Sequence, residues 1–228
     1  MEYKGAILPP ATSCSSVIPL EQGETRLVRW DLSVQCKELT EEVYGDTDIF
    51  CRFIDQKREA LGADFCWGGY DELRDIYARS AVFGEGGRQE EPRRLHLGVD
   101  VWGAAGTPVL AVYEGIVHSK AIHAELGNYG AVIILQHQYG EQLFHSLYGH
   151  LSWDSVHRIA VGERVETGRV IGALGDPAEN GGWPPHLHFQ CMLDMEGYSG
   201  DYPGVCKWCE REQYLRNCPD PIQLLDWE

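Results

Sequence analysis

From about residue 95 to 193 the chain alternates short runs of Val, Ile, Leu and Tyr with Gly, Pro and Asn, the pattern of short strands joined by tight turns. GTPVLAVYEGIVHS, GNYGAVIILQH, QLFHSLYGHLS, VGERVETGRVIGALG and HLHFQCML read as strands and hairpins, and AVIIL at 131–135 reads as a buried strand. Ahead of them the pattern is mixed. RLVRWDLS (26–33) is strand-like, DTDIFCRFIDQKREALGA places Ile49, Phe50, Phe53, Ile54 and Leu61 at helical spacing, and YDELRDIYARSAVF suggests a second helix. GEGGRQEEPRR (84–94), rich in Gly and charge and holding Pro92, separates the two parts as a solvated linker. Beyond residue 200 a short helix in CEREQYLRN precedes a tail whose Leu224, Leu225 and Trp227 are expected to dock on the core. The expected fold is mainly β: a glycine-punctuated antiparallel barrel or sandwich over 94–200, a mixed α/β extension over 1–93, and a C-terminal wrap over 201–228.

Period-two alternation in LHLGVDVW puts Leu95, Leu97, Val99 and Val101 on one face and His96, Gly98 and Asp100 on the other. On a straight strand the Cα atoms of His96 and Asp100 would lie ~13 Å apart, too far to share an ion, so a common site requires a bend, and Gly98 permits one. In WPPHLHF the two prolines cannot join a central ladder; a strand starting at His186 points His186 and His188 into one space and buries Leu187 and Phe189. In LYGHLS, Tyr148 and His150 share a face by the same alternation. Each motif alone is explained by polar residues on a strand surface; their coincidence points to a site.

Composition narrows the chemistry. Thirty-five acidic against nineteen basic residues give a formal charge of −16, which repels phosphate backbones and anionic membrane surfaces, so neither nucleic acid nor membrane is an expected partner. No apolar run approaches the ~18 residues of a membrane span, and MEYKGAILPPATSCSSVIPL lacks the basic and apolar regions of an export signal, which points to the cytoplasm. Eight scattered cysteines read mostly as thiols; Cys206, Cys209 and Cys218 leave a structural zinc or a disulfide open as alternatives. All nine histidines lie from His96 onward, and His118, His123, His137, His145 and His157 are expected on the surface or at strand ends.

Zinc takes nitrogen and carboxylate ligands, and a catalytic zinc keeps three protein ligands and one open position. His96, Asp100 and one of the later histidines supply such a set. The His-Glu-x-x-His signature is absent, so a histidine must serve as general base. HLGVD, LYGHLS and HLHF, in that order and joined by β-type sequence, resemble the lysostaphin-type zinc metallopeptidases over roughly residues 94–193. That resemblance implies zinc held by His96, Asp100 and His188, with His150 and His186 activating water and stabilising the oxyanion, and a peptide substrate of the peptidoglycan type. Tyr148, Asn128, Tyr129, Asn180 and Trp183 are candidates for the groove wall. Two rivals stand beside the peptidase: an intracellular zinc amidase acting on a small peptide or amide, and a histidine phosphocarrier or metal-binding module.

Overall fold

The computed structural model describes residues 8–21, 23–84, 91–225 and 227. The extension contributes β1 (Leu27–Arg29), α1 (Glu41–Tyr44), α2 (Thr47–Ala60), β2 (Phe65–Gly68) and β3 (Glu72–Leu73). Helix α2 forms where the periodicity predicts it. The Asp46 side chain caps it by accepting from the Ile49 amide, Lys57 and Arg58 occupy the last turn, and Phe50 and Ile54 bury against Leu32, Tyr77 and Trp102. The helix expected in YDELRDIYARSAVF does not form. Glu72 and Leu73 pair with a strand instead, and two short 3-10 turns follow, Ile76–Arg79 and Ala81–Phe83, the second capped by Ser80. Strand pairing and the burial of Arg74 override the local helical pattern.

After the linker come β4 (Leu95–His96), β5 (Val99–Trp102), β6 (Pro108–Leu110), β7 (Gly115–His123), β8 (Gly130–Tyr139), β9 (Gln142–Leu151), α3 (Trp153–His157), β10 (Arg164–Val165), β11 (Val170–Ala173), β12 (His186–Met192), β13 (Val205–Cys206) and α4 (Arg211–Asn217). The main sheet has the order β1-β2-β5-β12-β9-β8-β7-β10; β1 and β2 run parallel and every other neighbouring pair is antiparallel. The sheet stays open rather than closing into a barrel, because β1 and β10 do not pair with each other. A two-stranded sheet, β6 with β11, sends Val109 and Ile171 into the same core as Val101, Ile133, Leu187 and Phe189. Residues on β8 divide between two cores, Ala131, Ile133 and Leu135 in one and Val132 and Ile134 in the other. Both faces of that strand are covered, which is why AVIIL is apolar at every position.

Strands β1 and β2 lengthen the main sheet, so hydrogen bonding runs across the line between residues 93 and 94. Residues 85–90 of the linker, and residues 1–7 of the segment read for an export signal, lie outside the described residues. At the other end Leu224, Leu225 and Trp227 dock in the main core, with Trp227 5.9 Å from Trp67 between ring centroids.

Strand β4 belongs to a third sheet, of order β13-β4-β3. The chain therefore changes sheets between His96 and Val99. Leu95 and Leu97 bury with Val132 and Ile134, whereas Val99 and Val101 enter the main core, so the four do not share one face as the alternation predicts. Gly98 is needed at this corner for space rather than for a left-handed backbone. A Cβ there would lie 2.8 Å from the His188 ring and 2.7 Å from the Phe189 carbonyl oxygen.

Candidate metal centre

The sheet change brings His96 and Asp100 together, and antiparallel pairing sets His188 directly opposite Asp100. His96 Nε2 and His188 Nδ1 are 2.8 Å apart, and Asp100 Oδ1 is 3.2 Å from each. The other polar atoms of all three side chains are occupied. His96 Nδ1 donates to the Gly69 carbonyl at 2.8 Å, His188 Nε2 donates to Gln190 Oε1 at 2.9 Å, and Asp100 Oδ2 accepts from Arg74 Nη1. These partners place the imidazole protons away from the centre and leave two nitrogen lone pairs and one carboxylate oxygen converging. Three acceptors so close repel one another unless a cation sits between them. Tetrahedral bonds of 2.0–2.1 Å to zinc put donor atoms about 3.3 Å apart, close to the spacing found. All three residues are buried, and no other such cluster of three ligand-type residues occurs among the described residues.

Electrostatics agree with a cation site. Burial pushes the His96 imidazole down to about 4, keeping it neutral and able to ligate. Burial alone would raise the Asp100 carboxyl, but His96 and Arg74 hold it well below the usual carboxylate range. The triad thus offers a carboxylate charge beside the neutral His96 imidazole.

His186 and His150 flank the triad with ring centroids 4.2 Å apart. His186 Nδ1 donates to the Pro184 carbonyl at 2.7 Å and His150 Nδ1 to the Asn180 carbonyl at 2.8 Å, leaving Nε2 of each ring as the free nitrogen. His186 Nε2 lies 3.9 Å from Asp100 Oδ1. Burial lowers both imidazoles, His150 well below its ordinary value with His186 adding to the effect, so both are neutral proton acceptors at neutral pH.

His150 reaches this site because β9 carries an extra residue. Ile133 pairs with Tyr148 but Ala131 pairs with Leu151, and His150 takes φ 61 at the bulge. The expectation that Tyr148 and His150 share a face fails for this reason. Tyr148 is fully buried in the main core, its hydroxyl accepting from the Val112 amide, while His150 turns to the opposite side. A non-glycine residue held in the left-handed region is strained, and its backbone bonds to Tyr129 and Gly175 keep it there.

A cavity of about 230 Å³ opens over the five residues. Asn128, Tyr129 and Trp183 line it as anticipated; Tyr148 and Asn180 do not. Asn180 lies beneath, its side chain bridging Gly175 and Trp183 while its carbonyl orients His150. Phe50, Tyr77 and Phe83 of the extension form one wall, and residues 198 and 201–205 another. Two other histidines depart from expectation. His137 and His145 are buried within the sheet, His137 bonded to the Glu114 carbonyl and Ser146 Oγ, whereas His157 is exposed and His118 and His123 are half-buried. All eight cysteines are unbonded, with Cys206 and Cys218 buried and Cys209 exposed.

Four contributors escaped the sequence reading. Gln190 continues the 186, 188 alternation and was open to that logic. Arg74, the Gly69 carbonyl and the orienting carbonyl of Asn180 come from pairings remote in the chain, which no local pattern announces.

A mainly antiparallel β domain thus carries a buried His–Asp–His triad suited to holding a metal ion, with two further histidines at its edge. Residues 94–199 match the model of peptidase family M23. Similar proteins include DD-carboxypeptidase/endopeptidase Mpg of Neisseria meningitidis serogroup B, 36% identical over 101 residues (44% of this chain, 21% of that protein). L-Ala–D-Glu endopeptidase of Bacillus subtilis is 29% identical over 152 residues (63% and 44%), and lysostaphin of Staphylococcus simulans 33% identical over 100 residues (44% and 18%). The match thus spans less than half the length of each of these relatives. The solved catalytic domain of lysostaphin overlays 53% of this chain and 80% of its own at 25% identity and a TM-score of 0.33.

Proposed function

We propose that the protein is a zinc-dependent peptidase that hydrolyses peptide bonds, with peptides of the peptidoglycan type as its substrate class. The observation that carries this reading is the convergence of His96 Nε2, Asp100 Oδ1 and His188 Nδ1, each with its remaining polar atom already bonded elsewhere. Relatives named DD-carboxypeptidase/endopeptidase, L-Ala–D-Glu endopeptidase and peptidoglycan DD-endopeptidase support the substrate class.

His96, Asp100 and His188 would hold the zinc, which supplies a Lewis acid able to acidify water and polarise a carbonyl. Around it the chain's own groups do defined work. With Nδ1–H of His150 and His186 tied to backbone carbonyls, Nε2 of either ring can take the proton from the attacking water. Once protonated, the same Nε2–H can donate to the oxygen that gains charge, or pass the proton to the leaving amine. Burial matters here because a neutral imidazole is needed first and a hydrogen-bond donor second. Tyr77, Phe83 and Trp183 form an aromatic wall of the cavity, with Trp183 edge-on to both rings of the pair.

The test is incubation of the purified, zinc-loaded chain with soluble wall peptides, detecting new amino termini. Cleavage that a chelator abolishes and zinc restores is the expected result. Turnover of small amides with no peptide cleaved would favour the amidase, and metal-free protein that accepts phosphate from a phosphodonor would overturn the reading.

A further inference from the structure

Arg74 enters the centre from the extension. Its side chain is fully buried. Nε donates to Glu72 Oε1 at 2.6 Å, Nη1 donates to Asp100 Oδ2 at 2.5 Å, and the guanidinium carbon stands 5.6 Å from the Trp102 ring centroid. Nη2 packs against Gly69, where a Cβ would lie only 2.0 Å from it and 2.9 Å from His96 Nδ1. Gly69 also has φ +108, so both its backbone and the room it leaves require glycine. Burying a guanidinium is costly unless strong acceptors meet it. Here one of the two acceptors is the outer oxygen of the carboxylate that faces His96 and His188.

An aspartate can offer a cation one oxygen or both. With Oδ2 engaged by Nη1, only Oδ1 is presented to the nitrogens, 3.2 Å from each. On the reading of the site as a zinc centre, we propose that Arg74 is a positioning residue that restricts Asp100 to ligation through Oδ1 alone and so keeps one coordination position open for the reaction. The rest of the segment acts with it. Gly68 pairs with Asp100 across β2 and β5, and the Gly69 carbonyl orients His96, so residues 68–74 brace two of the three ligands from outside the 94–199 region. A lysine at 74 would keep the charge and a donor for Oδ2 but lose the fork that also grips Glu72.

The full chain loaded with zinc is examined by X-ray absorption at the zinc edge. One carboxylate oxygen at a short distance is expected; a bidentate carboxylate overturns the role of Arg74, whatever the behaviour of any variant. Failure of the wild-type chain to bind zinc refutes instead the zinc reading on which the inference rests. Cobalt replacement supplies the second readout. Wild type should give the strong visible absorption of four-coordinate cobalt, Arg74→Met the weaker absorption of a five-coordinate ion with about 10–100-fold weaker zinc binding, and Arg74→Lys a spectrum returned toward wild type. Arg74→Met that folds and keeps both the wild-type spectrum and the wild-type affinity contradicts the proposal.

Discussion

Replacing Gly98 with alanine tests how tightly the sheet change is built around the centre. The added methyl would stand 2.8 Å from Cε1 and Nε2 of His188 and 2.7 Å from the Phe189 carbonyl oxygen. Ordinary carbon contacts fall at about 3.5–4.0 Å, so the ring or the corner must withdraw by roughly 0.7 Å. Neither has an easy path. The ring is held by Gln190 at 2.9 Å, and Phe189 is fixed in β12 by its pairing with Val99 and Tyr148. Metal–ligand distances tolerate only about ±0.2 Å, so a displacement of this size weakens zinc binding by about 10–100-fold, or ~1.4–2.8 kcal/mol. The same overpacking destabilises the metal-free fold by about 1–3 kcal/mol. Competition with a chromophoric chelator measures the first effect and urea unfolding of the metal-free chain the second. A Gly98→Ala protein with wild-type zinc affinity and an unchanged unfolding midpoint would refute the argument that this glycine is required by close approach.

Other substitutions separate ligation from proton transfer and from folding. His150→Gln and His186→Gln should each lower kcat by about 10²–10⁴-fold and leave zinc stoichiometry intact, as read by steady-state kinetics and metal analysis; loss of the metal would assign the altered histidine to the ligand set. Gln190→Leu removes the acceptor that orients His188, and calorimetric titration should show about 10–100-fold weaker zinc binding, against no change if the amide is incidental. His137 provides a stability test away from the centre. Burial takes it from an ordinary 6.5 down to about 4 in the folded chain, so between those values the unfolded chain binds the proton and the folded chain does not. Its contribution therefore weakens stability as pH falls from 6.5 toward 4, by up to about 3 kcal/mol. Denaturation of His137→Gln across that range should show a correspondingly shallower fall, and an undiminished slope would contradict the assignment.

Much of the centre was legible because alternation carries direct geometric information. His186 and His188 on one side of β12, with Leu187 and Phe189 on the other, follow from the pleat alone. The need for a bend between His96 and Asp100 was equally legible, but its form was not. A change of sheet depends on which strands capture Leu95 and Leu97, and those partners lie near residues 72 and 205. The bulge at His150 was hidden for a related reason, since an extra residue in one strand is defined only against its neighbour. Tyr148 was misplaced by the same omission. The second helix expected before residue 84 failed where local periodicity met a stronger claim, the pairing of Glu72 and Leu73 with β4 beside a buried arginine. Remote pairing, more than local propensity, separates what the chain announces from what it builds.

Whether the three side chains share one zinc ion is read by anomalous diffraction at the zinc edge, from crystals of the full chain purified without added metal and then exposed to one equivalent of zinc. A single peak bonded at about 2.0–2.2 Å to His96 Nε2, Asp100 Oδ1 and His188 Nδ1 is expected. A chain that stays metal-free, or that binds the ion elsewhere with these three atoms still facing one another, would contradict it.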